Sequence, residues 1–337
     1  MSARRASCAT SANSSSKGSG TSLRVVSLLP SATEIVHFVG AEETLVGVTH
    51  ECDHPERVER LPKLTSASIG HHALTSAEID VAIGERLTDA ESIYYLDADL
   101  LEELNPDFVL TQGLCDVCAV SLSVVERAVA SLQVAPCVLS MNPTSLGEVL
   151  DVTIEVGDAV GHGARARSKV AALKNRLARV EKAVAGLPRP RVGCIEWLDP
   201  PFSAGHWVPE MVGMAGGEEL LAKAQEPSRR FSWEEVFECA PEVLVLMPCG
   251  FDVGRTLEEA RVLPALPGWE DLPAVKDRRV WVVDANSYFS RPAPRLIEGV
   301  EILASIFHPQ VFPAAPTSSA APFVRLPQSV TGSGLDR

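Results

Sequence analysis

The sequence has no apolar run that approaches the roughly 20 residues needed to cross a bilayer. Its first residues also lack the apolar core of a secretory signal. We therefore expect a chain that is not exported and that resides in the cytoplasm or, given a transit peptide, in a plastid or mitochondrion.

Basic residues are in deficit, with 30 Lys and Arg against 44 Asp and Glu and a formal net charge of −14. A chain with this balance is poorly suited to nucleic acid or to an anionic membrane surface. A small molecule or another protein is the expected partner.

Familiar catalytic signatures are missing too. The sequence contains no Gly-x-Ser-x-Gly elbow, no P-loop and no dinucleotide-binding fingerprint. We therefore expect a protein that is not an enzyme. A thiol-dependent activity stays open, because a fold can bring a cysteine and a histidine together from distant positions.

Both ends of the chain have compositions that are atypical of a folded domain. Residues 1–22 are rich in serine, contain three basic residues and no acid, and predict either a disordered tail or a transit peptide. Residues 311–337 are rich in Ala, Pro, Ser and Thr and predict a disordered tail.

Apolar runs that end in polar or glycine-rich sequence recur along the chain. Strands that are apolar throughout are typical of parallel sheets with helices on both faces. The runs predict an N-terminal α/β lobe over residues 23–162 and a C-terminal α/β lobe over residues 188–310. They are LRVVSLLP, LVGVTH, DFVLTQG and CVLSM in the first lobe and RVGCIEW, VLVLMPCG and RVWVVDANS in the second.

Two helices can be predicted in more detail. After the first strand, Ser31 and Glu34 have the spacing of a capping box, and Gly40 ends the helix. Residues 163–187 predict one long amphipathic helix between the lobes, which Gly186 ends. Its apolar positions recur at spacings of three and four: Val170, Leu173, Leu177, Val180 and Val184.

Side chains suited to ligand binding follow the predicted strands, and ligands of open parallel sheets bind beyond the carboxyl ends of the strands. In the first lobe the candidates are His50, Glu51, Cys52, Asp53, His54, Cys115 and Cys118. In the second lobe they are Trp197, Gly205, His206, Trp207, Cys249, Tyr288, Phe289 and Arg291. We expect them to line a cleft between the lobes.

The segment VTHECDHP places three metal-binding side chains at alternate positions. In an extended strand, His50, Cys52 and His54 would point to one side and could share a metal ion. A turn near Pro55 would scatter them and leave them to bond a ligand or the loop backbone. Both interpretations stay open.

The eight cysteines are predicted to be thiols, because no export signal is recognised and disulfides are rare in reducing compartments. Cys115 and Cys118 form a C-x-x-C at a helix start, which favours either redox or metal chemistry or simple packing. Cys194 is predicted to lie in the core, and Cys137 and Cys239 to be structural.

Taken together, these residues resemble the iron and vitamin B12 periplasmic-binding family, within it the group of cobalamin-binding proteins. The resemblance spans residues 23–309. Its motifs are SLLPSATEIV, LVGVTHECDHP, NPDFVLTQ, LCDVCAVSL, EWLDPPFSAGHWVPE, SWEEV, PEVLVLMPCGFD and YFSRPAPRLIEGVEILASIFHP.

The resemblance implies two Rossmann-like lobes bridged by one long helix, the class III periplasmic-binding-protein fold. It implies a monomer that holds one bulky ligand, a cobalamin, a related corrinoid or an iron chelate, and delivers it to an ABC transporter. By the same resemblance, the ligand-facing loops of the second lobe include Phe202, Gly205, Tyr288, Phe289 and Arg291.

One position departs from the resemblance. Glu51 stands where the better-known vitamin B12 binders have an aromatic residue, and either His50 or His54 could coordinate the cobalt of a corrinoid. The alternative hypothesis is an intracellular metal- or thiol-centre protein, an enzyme included, that uses the cluster His50, Cys52, Cys115, Cys118 and Cys249.

Overall fold

The structure, a computed structural model, describes residues 22–67, 74–89, 93–114, 119–313 and 321–327. The chain divides into two compact units. The first is Met1–Ala73, Val81–Pro143 and Val149–Val170, and the second is Leu74–Asp80, Thr144–Glu148 and Ala171–Arg337. Two short segments inside the predicted first lobe thus belong to the second unit.

The elements alternate between strand and helix along most of the chain. The strands are β1 (Val25–Ser27), β2 (Leu45–Val48), β3 (Thr65–Ala67), β4 (Tyr94–Leu96), β5 (Phe108–Thr111), β6 (Cys137–Ser140), β7 (Arg191–Leu198), β8 (Pro201–Ser203), β9 (Glu218–Glu219), β10 (Val243–Leu246), β11 (Val280–Val283) and β12 (Phe323–Arg325). The α-helices are α1 (Pro30–Val39), α2 (Ser76–Asp89), α3 (Ala98–Leu104), α4 (Leu122–Ala130), α5 (Leu146–Ala159), α6 (Gly163–Val184), α7 (Val208–Met214), α8 (Trp233–Cys239), α9 (Val253–Glu259), α10 (Pro273–Lys276), α11 (Ala285–Tyr288) and α12 (Leu296–Phe307).

The first unit is built on a parallel sheet with the strand order β2-β1-β5-β6. Successive side chains of a strand point to opposite faces. In β1, Val25 belongs to one apolar cluster and Val26 to another, and both side chains are fully buried. Both faces of this sheet are therefore covered, which explains why its strands are apolar throughout.

Helix α1 follows β1 directly, but its start differs from the prediction. Pro30 occupies the first turn and Leu29 is the N-cap residue, without a side-chain hydrogen bond to the cap. The predicted capping box of Ser31 and Glu34 is therefore wrong, because Pro30 already begins the helix and places both residues inside it. The predicted end is confirmed, since Gly40 has a left-handed φ of 76°.

The second unit has a mixed sheet in the order β12-β11-β10-β7-β8, with β9 paired to β7. Strands β7, β10 and β11 are parallel, and the short β8 returns antiparallel to β7. One face packs on an apolar cluster around the fully buried Trp269. The carboxyl ends of β7, β10 and β11 meet at one edge of this sheet.

The C-terminal tail is only partly as predicted. Strand β12, which lies within the predicted disordered residues 311–337, pairs antiparallel with β11, and Leu326 beside it is buried. The prediction of disorder is wrong for this segment, because its short apolar run FVRL covers the exposed edge of β11. Residues 1–21, 314–320 and 328–337 lie outside the described residues.

Helix α6 confirms the predicted amphipathic stripe. Its 22 residues correspond to about 33 Å at about 1.5 Å per residue. The five predicted apolar positions are all buried. On its polar side, Arg176 makes two hydrogen bonds to the carboxylate of Glu301, at 2.9 and 2.6 Å.

The predicted α/β class, with two Rossmann-like lobes and one long helix, is confirmed. Within the described ranges, no helix is both long enough and apolar enough to span a membrane.

A carboxyl group is buried where β9 meets β7. Oε1 of Glu219 accepts hydrogen bonds from the backbone N–H groups of Leu221, at 3.0 Å, and Cys194, at 3.4 Å. Oε2 is buried without a hydrogen-bond partner among the residues described. Burial raises the pKa of Glu219 from its ordinary 4.5 to about 7, although the hydrogen bonds oppose the shift. Burial, followed by the charge of Glu219, also raises the pKa of the Cys194 thiol.

This carboxyl group predicts a pH dependence of stability. The folded chain keeps the proton to a higher pH than the unfolded chain, so stability falls as the pH rises from about 4.5 to 7, and the loss persists above that range. Glu219→Gln removes the titrating group. We expect it to raise the free energy of unfolding by on the order of 2 to 3 kcal/mol at about pH 8, and to change it little at about pH 4.5.

Urea unfolding followed by circular dichroism measures both values. Glu218→Gln, at the exposed neighbouring position, is the matched control. An equal gain for Glu219→Gln at the two pH values would show that its carboxyl is not titrating in this range.

Candidate functional site

The carboxyl edge of the first sheet presents a histidine held by two threonines. His50 directly follows Thr49 at the end of β2, and its Nδ1 lies 2.7 Å from Oγ1 of Thr65 in β3. The two threonine hydroxyls are 2.6 Å apart, and the imidazole ring packs on Tyr94 with 5.6 Å between ring centroids. The ring orientation of His50 is therefore fixed by its neighbours.

The second ring nitrogen of His50 faces an acid. Oε1 of Glu51 lies 3.1 Å from Nε2, and both side chains are partly exposed. Nε2 itself is buried, and the pair is not aligned as a hydrogen bond. The structure thus brings His50 and Glu51 together, whereas Thr65 and Tyr94 were missed in the sequence because they come from the β3 and β4 strands further along the chain.

Cys52 and His54 point elsewhere. Cys52 is buried in the apolar core of the first unit, with its Sγ 3.1 Å from Oγ1 of Thr33. The ring of His54 packs edge-on against His37, with 6.0 Å between centroids, and Asp53 is exposed.

The predicted metal site is therefore wrong. In the part of the chain that the structure describes, no group of three His, Cys, Asp or Glu residues is placed to hold a metal ion. The reason is local, because β2 ends at Val48 and the following residues 50–55 turn. The alternation that would align His50, Cys52 and His54 requires an extended strand.

The cysteines divide into two chemical states. Cys52, Cys194, Cys239 and Cys249 are free thiols, of which only Cys249 is exposed. Cys137 is disulfide-bonded, and the predicted site residues Cys115 and Cys118 lie outside the described residues. The prediction that all eight cysteines are thiols is thus wrong, while the core position of Cys194 is confirmed.

In the second unit, Trp197 leaves the end of β7 and binds the start of α2. Its Nε1 donates a hydrogen bond to the backbone oxygen of Ser76, at 3.2 Å, and its ring packs on Phe251 at 5.3 Å between centroids. The hydroxyl of Ser76 donates to Oε2 of Glu259, at 2.7 Å. Arg255 pairs with Glu259 at 3.1 Å and donates to the backbone oxygen of Leu74. Trp197 is therefore positioned by a polar network that the sequence did not reveal.

The loop after β8 is packed more tightly than predicted. Gly205 has an ordinary φ, and a side chain there would collide with the backbone of Pro227 and Ser228. The positive φ of 53° falls instead on His206, whose N–H donates to the oxygen of Glu226 at 2.7 Å. Burial lowers the pKa of His206. The glycine is required for a close backbone approach, and His206 shapes the loop.

Trp207 is a buried residue that supports the loops at this edge. It is only 6% exposed, and its Nε1 donates a hydrogen bond to the backbone oxygen of Phe289 at 2.8 Å. Phe289 is also buried, with 3% exposure. Both residues differ from the predicted ligand platform, because their side chains fill the core of the second unit.

Partly exposed side chains do remain at this edge. Cys249 is exposed after β10, and Phe202 lies opposite Trp197 on β8. Tyr288 and Arg291 follow β11. Burial, then the charges of Glu298 and Asp284, raise the pKa of the Tyr288 hydroxyl. The backbone N–H of Gly250 donates to Oγ of Ser290, at 3.2 Å, and joins the loops after β10 and β11.

Several proteins of known sequence are similar to this chain over most of its length. An uncharacterized ABC transporter substrate-binding lipoprotein of Bacillus subtilis is 25% identical over 296 residues, covering 86% of this chain and 81% of the relative. A cobalamin-binding protein of Halobacterium salinarum is 24% identical, covering 85% of this chain and 69% of the relative. A vitamin B12-binding protein of Vibrio cholerae is 23% identical, covering 82% and 86%.

Solved structures show the same fold. A periplasmic heme-binding protein from Roseiflexus aligns with a TM-score of 0.63 at 22% identity, over 86% of this chain and 98% of that chain. The periplasmic vitamin B12-binding protein of Vibrio cholerae aligns with a TM-score of 0.60 at 18% identity, over 84% and 96%.

These relatives correct the predicted location. They are periplasmic or lipoprotein substrate-binding proteins, which work outside the cytoplasm, so the expectation of a cytoplasmic or organellar protein is wrong. The expectation rested on composition near the start of the chain, which does not determine where the folded part works. The disulfide at Cys137 agrees with an oxidising compartment.

The buried position of Trp207 predicts a large effect on stability. Trp207→Ala leaves a cavity and an unpaired backbone oxygen at Phe289, so we expect the free energy of unfolding to fall by about 3 to 5 kcal/mol. Trp207→Phe keeps most of the volume and should cost about 1 to 2 kcal/mol. Denaturant unfolding measures both. A fully stable Trp207→Ala variant would instead favour the predicted ligand platform.

The family follows from the match across the chain. The model of the family described as periplasmic binding protein matches residues 25–287. This range includes β1 through β11, and hence the carboxyl edges of both sheets. The chain belongs to the periplasmic binding protein family.

Proposed function

We propose that this protein is the substrate-binding protein of an ABC transporter, and that it binds one bulky corrinoid without catalysing a reaction on it. The observation that carries the proposal is the similarity over more than four fifths of the chain to proteins named for cobalamin or vitamin B12 binding. The structural neighbours, named for vitamin B12 or heme, point to the same chemical class of planar metal chelate.

The side chains at the edge of the second sheet suit a large ligand with an apolar body and polar groups around it. Trp197 and Tyr288 provide partly exposed aromatic surface. Arg291 is oriented by a hydrogen bond to Oδ1 of Asn286, at 2.8 Å. Ligand sites commonly combine aromatic walls with a few oriented polar groups. Because Trp197 and Arg291 are held by hydrogen bonds before any ligand arrives, little ordering entropy opposes binding.

The edge of the first sheet favours a corrinoid over heme. Glu51 places an acidic group beside His50, and Asp53 is exposed two residues further along the chain. Heme carries propionate carboxylates, which such groups repel, whereas the peripheral carboxyls of cobalamin are amides. Like charges brought together at a binding surface reduce affinity and discriminate against the wrong ligand. Heme is therefore the competing ligand in the test.

A titration tests the proposed function. We expect purified protein to bind hydroxocobalamin saturably at one molecule per chain, at micromolar or lower concentrations, with hemin bound more weakly. Equilibrium dialysis gives both affinities, and gel filtration shows whether the colour travels with the protein. Tighter binding of hemin would replace the corrinoid assignment, and binding of neither compound would refute the proposal.

An aromatic variant tests the second unit. Tyr288→Ala removes partly exposed aromatic surface at the sheet edge, and we expect hydroxocobalamin affinity to fall by about tenfold, close to 1.4 kcal/mol. Tyr95→Ala removes a tyrosine that is 61% exposed on β4, and serves as the matched control. Equal affinities for the two variants would exclude Tyr288 as a ligand contact.

A further inference from the structure

The neighbours of His50 hold its ring as in histidines that bind a metal through one ring nitrogen. Its Nδ1 lies 2.7 Å from Oγ1 of Thr65, and the backbone N–H of His50 donates to the same oxygen at 3.2 Å. Tyr94 packs against the ring. Histidines that bind metals nearly always have their other nitrogen hydrogen-bonded, because this bond fixes the tautomer and the orientation of the ring.

The threonine pair allows the tautomer that coordination requires. A hydroxyl group can both donate and accept a hydrogen bond. When Nδ1 carries the proton, it donates to Oγ1 of Thr65, whose own O–H can donate to Oγ1 of Thr49 at 2.6 Å. Nε2 then presents a free electron pair. The pair of threonines is therefore compatible with the tautomer in which Nε2 carries the electron pair that can bind a metal.

Nε2 is the ring nitrogen without a hydrogen bond in the described part of the chain. It is buried and makes no hydrogen bond to any described residue. Oε1 of Glu51 covers it from 3.1 Å without hydrogen-bond alignment. A buried polar atom left unsatisfied is unusual and calls for an explanation. The Glu51 side chain is 29% exposed, and a turn of this side chain toward solvent would open the nitrogen.

A single histidine is sufficient only for a metal that is already chelated. A free ion needs three or four protein ligands, and the described residues contain no such group. The metal of a corrin or porphyrin has its four equatorial positions filled by the macrocycle, and one axial side chain completes it. Imidazole nitrogen is a suitable donor for these transition metals.

We propose that Nε2 of His50 coordinates the metal of the bound macrocycle, and that Glu51 covers this nitrogen in the ligand-free protein. The inference rests on the proposed function and adds the residue that binds the metal of the ligand. His50 displaces the axial water of an aquo-cobalt centre, and the water leaves to solvent. Cys52 and His54, the other predicted metal ligands, take no part, because one is buried against Thr33 and the other packs on His37.

The test compares two corrinoids that differ at the axial position. Hydroxocobalamin has an exchangeable axial water or hydroxide, whereas cyanocobalamin holds cyanide firmly. We expect wild-type protein to bind hydroxocobalamin at least tenfold more tightly than cyanocobalamin, with a shift of its visible absorption bands. His50→Ala and His50→Gln should both lose the shift and the tenfold preference for hydroxocobalamin.

His54→Ala is the matched control, since it removes the neighbouring imidazole and should keep both the shift and the preference. Glu51→Gln removes the covering charge, and we expect it to speed the appearance of the shift in stopped-flow absorbance. Gln is included at position 50 because it can still bond Thr65, so that a misfolded His50→Ala variant would not decide the result.

The outcomes separate the two proposals. Binding of both corrinoids with equal affinity and no band shift overturns coordination by His50 and leaves the proposed function standing. A shift that survives in both His50 variants also overturns it, and a shift lost only in His54→Ala assigns the other histidine. Failure to bind either corrinoid refutes the proposed function itself.

Discussion

The burial of both faces of a parallel sheet is the constraint on which the rest of this structure depends. In the first unit, adjacent residues Val25 and Val26 enter different apolar clusters on opposite faces. In the second, β7, β10 and β11 have the same parallel arrangement. Parallel strands require a crossover after each strand. Within each sheet, the carboxyl ends of the parallel strands, and the loops that follow them, therefore lie at one edge of that sheet.

At the edge of the second sheet, some side chains are buried and support the loops, and others are accessible. Trp207 and Phe289 are buried and joined by a hydrogen bond, so they set the position of the loops after β8 and β11. Tyr288 and Arg291 stay accessible beside them. An aromatic residue near such an edge can thus either support the loops or stay accessible to a ligand, and its burial shows which. These two supporting residues belong to the core of the second unit.

Much of the fold could be predicted from the sequence. The apolar runs located β1, β2, β5 and β6 of the first sheet and β7, β10 and β11 of the second. The stripe of Val170, Leu173 and Leu177 located α6, because these patterns depend only on local periodicity. Features that depend on contacts between distant segments were missed. Strand β12 exists because β11 has an edge to cover, and the start of α2 belongs to the second unit because Trp197 and Glu259 bind Ser76 there.

The sequence by itself determined the class of fold, the two lobes, the long helix and the edges at which polar side chains gather. Only the tertiary structure decided what those side chains do. It buried Cys52, turned His54 away, and set His50 between Thr65, Tyr94 and Glu51. The physical reason is that the periodicity of strands and helices depends only on residues that are close in the sequence. The direction of a side chain in a loop depends instead on partners that only folding brings near.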